Sequence, residues 1–173
     1  NVQVSLFDKD ALVTTQDFKM GSLRVREILY PLENETTHYE QIVEELVHNQ
    51  ILGFKKLHLK ERKAEHIILL GNTFIERMLE KQGSLQENRT VSFKEFMAGY
   101  EWVMSSSPEE MSVSLGISLD YAENMVPALI IYRVFMEEFG AQTLWLPGTH
   151  LNDGISYDYA QKHKLIKSKH NFE

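Results

Sequence analysis

The chain has 173 residues, of which 43% are apolar, enough for one globular domain with a sizeable core. Cysteine is absent, which excludes disulfides and cysteine-based zinc sites. The 18 basic and 25 acidic residues give a net charge of −7, which argues against binding to nucleic acid. No apolar run approaches the roughly 20 residues of a membrane span, so we expect no membrane partner and a cytoplasmic location.

The beginning of the chain predicts extended structure. Val2, Val4 and Leu6 alternate with polar residues, which is the period of a half-buried strand, and turn residues then lead into a second strand. Two further extended segments, 11–20 and 22–29, are separated by Gly21. The pattern therefore predicts a meander of three strands.

A helix and a short strand are predicted next. Thr37 and Glu40 have capping-box spacing, and apolar residues recur on one face behind them, which predicts a helix. Residues 54–65 are mixed and basic and predict a second helical stretch. The apolar run His66–Leu70 then predicts a buried strand that ends at a glycine.

Helices dominate the remaining chain, and most have a recognisable start. We predict helices over 73–81, 92–104, 107–114 and 118–139, with starts marked by Ser92, by Ser107, and by Ser118 or Asp120. A last strand covers 143–146, and Asn152 or Asp153 is expected to cap a final helix. We treat 1–173 as a single domain with a helical insertion at about 79–117.

Three stretches carry a resemblance to a known family. They are Val2–Glu27, which includes the motif Met20-Gly-Ser-Leu-Arg-Val-Arg, then Ser114–Tyr132, and Gly140–Tyr157. Together they resemble the second lobe of the actin-like ATPase core in the exopolyphosphatase and guanosine pentaphosphate phosphohydrolase (Ppx/GppA) family. The resemblance implies an α/β, ribonuclease-H-like lobe, with a mixed sheet flanked by helices. The chain also begins with Asn rather than Met, and we expect it to be a piece of a larger protein.

A turn between strand and helix is the first candidate site. Gly71, Asn72 and Thr73 follow an apolar strand and precede a helical pattern, an arrangement that presents backbone N–H groups to an anion. In the family this position holds a Gly-x-Gly-Gly-Thr phosphate loop, which Gly71 and Thr73 match and Asn72 interrupts. The resemblance therefore implies phosphate binding by these three residues.

Arg24 and Gln3 are the other candidates. Arg24 belongs to the family-like Leu-Gly-x-x-Arg segment, where it would bind phosphate or form a structural ion pair beside Gly21. Gln3 aligns with a family carboxylate that organises metal or water, but it is neutral. The resemblance implies Mg²⁺ as cofactor and a catalytic Glu on the other lobe, so we expect no catalytic residue in this chain. The histidines have no metal-binding spacing.

Three functional hypotheses remain open. The first is the phosphate-binding lobe of a phosphohydrolase that releases terminal phosphate from polyphosphate or guanosine pentaphosphate, inactive without its N-terminal lobe. The second is a non-catalytic sensor or interaction lobe whose phosphate loops have degenerated, as Gln3 and Asn72 suggest. The third is an ATP-dependent relative of the sugar-kinase or chaperone type, which the lack of an adenosine-pocket Gly-Gly motif opposes. Exposed strand residues such as Leu6 and Leu12 also make a homodimer an expected assembly.

Overall fold

The computed structural model describes residues 1–9, 11–33, 38–71 and 73–166. In that part of the chain, strands and helices are mixed. The strands are β1 (Val2–Asp8), β2 (Ala11–Phe18), β3 (His66–Ile68), β4 (Thr90–Ser92) and β5 (Thr143–Trp145). The helices are α1 (Ser22–Glu33), α2 (Tyr39–Phe54), α3 (Thr73–Lys81), α4 (Phe93–Ser105), α5 (Pro108–Leu115), α6 (Leu119–Phe139) and α7 (Leu151–Lys162).

β1 and β2 form the predicted hairpin. They pair antiparallel along their whole length, from Val2 opposite Phe18 to Asp8 opposite Ala11. Leu6 packs against the core with the inner face of the hairpin. Leu12 is exposed, as expected, but the expectation that Leu6 is exposed is wrong, because Leu6 lies on the inner face of β1. The alternating pattern of Val2, Val4 and Leu6 therefore predicted β1 and the face that it buries, whereas the inner face of β2 includes Thr14 and Gln16, which no apolar pattern predicted.

The predicted third strand is wrong, because residues 22–29 belong to α1. The helix starts where the Val25 N–H donates to the Gly21 carbonyl at 2.8 Å. Val25 is fully buried, and α1 packs against α6, where Arg26 forms an ion pair with Glu123. Two alternating apolar residues are too short a pattern to distinguish a strand from a helix. The packing of this segment against α6 determines that it is a helix.

The second sheet has three strands in the order β3-β5-β4, with β3 parallel and β4 antiparallel to β5. β4 was not predicted, because three residues directly before a helix cap carry almost no periodic signal. The prediction that His66–Leu70 is buried is also wrong. Ile68 is 54% exposed and Leu70 is 61% exposed, because β3 is an edge strand of a sheet with one open face.

α6 lies at the centre of the molecule and contacts α1, α2, α3, α4 and α5. Its buried face joins the hairpin and the helices into one hydrophobic core. After Phe54, α2 continues directly into a single π-helical turn, Lys55–Leu59. A second helical stretch was predicted in this region. Among the described residues, no helix combines the length and apolarity needed to cross a membrane.

Helix starts agree with the sequence at some caps and differ at others. Ser92 and Ser107 each form a capping box, as predicted. α7, however, has His150 as its N-cap, whose N–H donates to the Asp153 carboxylate at 2.7 Å. Asp153 therefore takes part in the cap as the acid of a capping box, whereas Asn152 lies inside the helix and is not its N-cap. Thr37, predicted to cap α2, lies outside the described residues, and α2 begins at Tyr39.

Two serine caps offer a matched test of these helix starts. The Ser107 hydroxyl accepts a hydrogen bond from the Glu110 N–H at 3.2 Å, whereas the Ser118 side chain makes no capping bond. We expect Ser107→Ala to lower the free energy of unfolding by about 1 kcal/mol, measured by urea denaturation, because a helix N–H loses its acceptor. Ser118→Ala should change it by much less. Equal losses in the two variants would contradict the assigned caps.

Candidate functional site

The Gly71 turn connects the second sheet to α3. Gly71 is exposed and has φ of +80°, and a side chain added there would meet no atom within 4 Å. Thr73 is the exposed first residue of α3, and Asn72 lies outside the described residues. The N-terminus of a helix carries free N–H groups and a positive dipole end. A ligand can therefore approach the backbone at Gly71 without a steric barrier, and the N–H groups of the first turn of α3 follow directly in the chain.

An aromatic pair borders this turn. Phe74, the residue after Thr73, contacts Tyr121 in the first turn of α6, with ring centroids 5.9 Å apart and planes inclined by 33°. Tyr121 is 59% exposed, whereas Phe74 is partly buried against the core. We call Gly71, Thr73, Phe74 and Tyr121 the α3 corner.

Hydrogen bonds from α3 hold this corner to its surroundings. Arg77 donates to the Gly116 carbonyl at 3.1 Å, and the Lys81 ammonium donates to the Ser114 hydroxyl at 2.9 Å. Both bonds fasten the segment before α6 along α3 and so place Tyr121 beside Phe74.

Arg89 fastens the other side of α3. Its guanidinium donates to Glu76 at 2.6 Å, to Glu80 at 2.8 Å and to the Leu146 carbonyl at 3.0 Å. The hydrogen bond with Glu80 and the charges of both carboxylates raise the pKa of Arg89. α3 is therefore tied to the end of β5 as well as to the start of α6.

Arg24 lies on α1 and not on a strand. Its side chain is exposed and has no hydrogen bond or ion pair among the residues that the structure describes. Within the described residues, the structural ion pair proposed for it from the sequence is not formed, and the neighbouring Arg26 makes that kind of contact instead, with Glu123. Arg24 is therefore an exposed cation with no partner in the described part of the chain.

Gln3 occupies the exposed face of the hairpin. Its side-chain amide donates to the Asp17 carboxylate of the facing strand at 3.0 Å. No hydrogen bond joins Gln3 or Arg24 to Gly71 or Thr73 within the described ranges. The structure thus places Gln3 on the hairpin, Arg24 on α1, and Gly71 and Thr73 at the start of α3. A Cβ atom added to Gly21, just before α1, would lie 3.2 Å from the backbone nitrogen of Asn1, so the start of α1 lies close to the start of the hairpin.

Acidic side chains dominate a groove between α2 and α6. It has a volume of about 390 Å³ and is lined by Glu44, Glu45, His48, Asn49, Val134, Glu137 and Glu138. Lys55 hydrogen-bonds Glu138, and this bond holds the pKa of that carboxyl below its usual value. A groove of this charge repels phosphate. Within the described ranges, no group of three or more His, Asp or Glu side chains is placed to hold a metal ion.

Sequence reasoning found the Gly71 turn but missed the pairing of Phe74 with Tyr121. The two residues are far apart in the chain, and no contact between them was predicted from the sequence. No local pattern signals such a contact, because it depends on how α3 packs beside α6.

Comparison with known proteins supports the fold. No protein-family model matches the sequence, and no curated protein matches it either. A solved structure of a Ppx/GppA family member from Aquifex aeolicus matches with a TM-score of 0.73 and 12% identity, over 93% of this chain and 53% of that chain. An exopolyphosphatase-like protein matches with a TM-score of 0.72 and 14% identity, over 89% of this chain and 52% of that chain.

The matches extend over most of this chain but only about half of the other proteins. A further structure, the type II variant of the Aquifex aeolicus Ppx/GppA phosphatase, has a TM-score of 0.66 at 12% identity, over 90% of this chain and 52% of that chain. The resemblance noted from the sequence and the predicted α/β, actin-like fold class are thereby confirmed at the level of the fold.

Proposed function

We propose that this chain is the phosphate-binding lobe of a Ppx/GppA-like phosphohydrolase, which releases terminal phosphate from polyphosphate or guanosine pentaphosphate. The observation that carries the proposal is the Gly71 turn. It is an exposed glycine at φ of +80°, with open space around it, directly before a helix N-terminus. The fold match to Ppx/GppA structures supports the same assignment.

The role proposed for this lobe is positioning. Free N–H groups in the first turn of α3 donate to phosphate oxygens, the helix dipole favours the negative charge, and the Thr73 hydroxyl adds a donor. Fixed donors of this kind stabilise charge that develops as the phosphoanhydride bond breaks. The general base belongs to a second, N-terminal lobe, which closes the cleft, and the isolated chain is expected to be inactive.

The described residues provide no group of side chains placed to bind Mg²⁺. The candidate position, Gln3, is an amide that donates to Asp17, and a hard cation prefers several oxygen ligands. We therefore assign no ligand of Mg²⁺ to this chain and derive no step through the metal.

A sensor or interaction lobe is the second candidate function. The hydrogen bond from Gln3 to Asp17 favours it, because an amide replaces the carboxylate expected at this position and engages the only acid opposite it. Gln3→Glu in the full-length protein separates the two functions. A gain of phosphate release would support the hydrolase, whereas unchanged inactivity of both proteins would support the sensor.

Binding of inorganic tripolyphosphate tests the phosphate site directly. By isothermal titration with and without Mg²⁺, we expect saturable binding to the chain and a loss of at least about tenfold in Gly71→Ala. The added methyl group stands in the approach to the backbone, and alanine is strained at positive φ. Thr73→Val, which keeps the shape and removes the hydroxyl, should lose several-fold.

Gly53→Ala is the matched control. Gly53 lies in α2, where an added side chain also meets nothing within 4 Å but the backbone has no positive φ. Its affinity should equal that of the unmodified chain, and thermal unfolding should show that all variants are folded. No binding by the unmodified chain, or equal affinity of all four proteins, would refute the site.

A further inference from the structure

The outer side of α2 carries a stripe of residues at helical spacing. The stripe consists of Gln41, Glu45, Asn49, Leu52 and Lys56, which recur every three or four positions and therefore lie on one face of the helix. Leu52 is half-buried and the other four residues are exposed. The face is thus open to a second protein surface, with an apolar residue in its second half.

The charges on this stripe are separated by sign along the helix. Glu45 follows Glu44 in the first half of α2, and Lys56 follows Lys55 at its end. Glu45 and Lys56 are eleven positions apart, roughly 16 Å along the helix axis, so they cannot pair within one chain. In an antiparallel copy of the same helix, each Glu45 would lie opposite the other copy's Lys56.

Glu45 and Lys56 both lack an ion pair within the described part of the chain. The other three acids that line the groove between α2 and α6 pair with Arg133 or with Lys55. Glu45 lines the same groove and is exposed, as is Lys56. One acid and one base are therefore available on the same helix face for charges from another molecule.

Gly53 leaves space beside this stripe. It is exposed next to Leu52, and a side chain added there would meet no atom within 4 Å. Glycine is unfavourable inside a helix, but its missing side chain allows another helix to approach the backbone closely. A second helix can therefore come near enough for Leu52 to pack against it.

We propose that α2 is the interface between two copies of this chain, packed antiparallel about a twofold axis that passes between Asn49 and Leu52. Each Glu45 forms an ion pair with Lys56 of the second copy, and each Leu52 contacts Asn49 of the second copy. Both copies use the same surface, so the contact closes at a dimer. This surface differs from the hairpin, where exposed Leu12 made a homodimer an expected assembly.

Sedimentation equilibrium of charge-reversed variants tests this interface. The unmodified chain should dimerise with a dissociation constant of about 10–100 µM, since one pair of helices is a small interface. Glu45→Lys and Lys56→Glu should each weaken the dimer at least about tenfold, because each variant sets like charges opposite each other twice. An equimolar mixture of the two variants should form a heterodimer at least as tight as the unmodified dimer, because every opposed pair then has opposite charges.

Glu101→Lys and Lys94→Glu are the matched controls. They make the same two charge changes at exposed residues of α4 and should dimerise like the unmodified chain. Leu12→Asp examines the hairpin face and should also leave the dimer unchanged. Thermal unfolding followed by circular dichroism should show that all variants are folded.

Three results would overturn the proposal. They are an unmodified chain that stays monomeric at about 1 mM, a dimer that neither α2 variant weakens, and a mixture of the two α2 variants that forms no heterodimer. Loss of the dimer in Leu12→Asp alone would assign the interface to the hairpin instead. The proposal does not depend on phosphate binding at the Gly71 turn, so either can fail without the other.

Discussion

Phe54→Ala is expected to destabilise the protein by about 3–5 kcal/mol, because it removes the ring that connects three elements of the core. Phe54 is 1% exposed at the end of α2. Its ring meets Phe18 of β2 edge-on at 5.8 Å and stacks with Phe139 of α6 at 5.9 Å. Truncation loses the transfer energy of the ring and leaves a cavity that the packed neighbours fill only in part.

Urea denaturation followed by circular dichroism measures this loss. Phe7→Ala is the matched control, since Phe7 lies on β1 with 61% of its surface exposed and should cost no more than about 0.5 kcal/mol. The m-value should stay the same in both variants, because the change concerns stability and not the extent of unfolding. Similar losses at Phe54 and Phe7 would show that the hairpin, α2 and α6 do not share one core.

The second large effect is expected at Arg133, where Arg133→Met should cost about 2 kcal/mol. The guanidinium is 15% exposed and reaches Glu40, Glu44 and Glu137, the last at 3.3 Å. It also lies 4.9 Å from the centroid of the Tyr100 ring, which adds a cation–π contact. Methionine keeps the apolar stem but leaves three carboxylates close together without their cation.

The magnitude is limited by solvent. The three carboxylates are between 34% and 46% exposed, so water compensates for part of the lost attraction. Arg133→Lys should recover some of the stability, because the charge remains and the planar fork is lost. Arg24→Met is the control, since Arg24 is an exposed cation with no ion pair in the described structure, and it should stay within about 0.5 kcal/mol. Equal effects at Arg133 and Arg24 would contradict a stabilising network.

The same network fixes the protonation state of Tyr100. Its hydroxyl donates to Glu40, and both burial and this hydrogen bond raise the pKa of Tyr100 above its usual value. The phenol therefore stays neutral and keeps its hydrogen bond throughout the physiological range.

Much of the helical architecture follows from local sequence. Ser92 with Glu95 and Ser107 with Glu110 satisfy the first N–H groups of α4 and α5 without help from the rest of the protein. One face of β1 packs against the core because apolar residues alternate strictly with polar ones at Val2, Val4 and Leu6. Such signals involve residues only three or four positions apart, so they can be recognised from the sequence alone.

The candidate site is only partly local. The Gly71 turn is visible in the sequence, because a glycine between an apolar strand and a helical pattern has few other uses. Nothing near Tyr121 in sequence predicts that it will lie beside Phe74, since that contact depends on the packing of α3 against α6.

By itself, then, the sequence determined the hairpin, most helix starts and the glycine turn, all of which depend on short-range periodicity and capping, whereas the α/β class came from the family resemblance. Tertiary structure decided that residues 22–29 form a helix, because Val25 is buried as α1 packs against α6. It also decided that Ile68 of β3 is exposed and that Tyr121 lies beside Phe74. These outcomes depend on which surfaces pack together. When a segment is too short to show a clear helical or strand periodicity, its burial against a distant element outweighs its weak local preference for helix or strand.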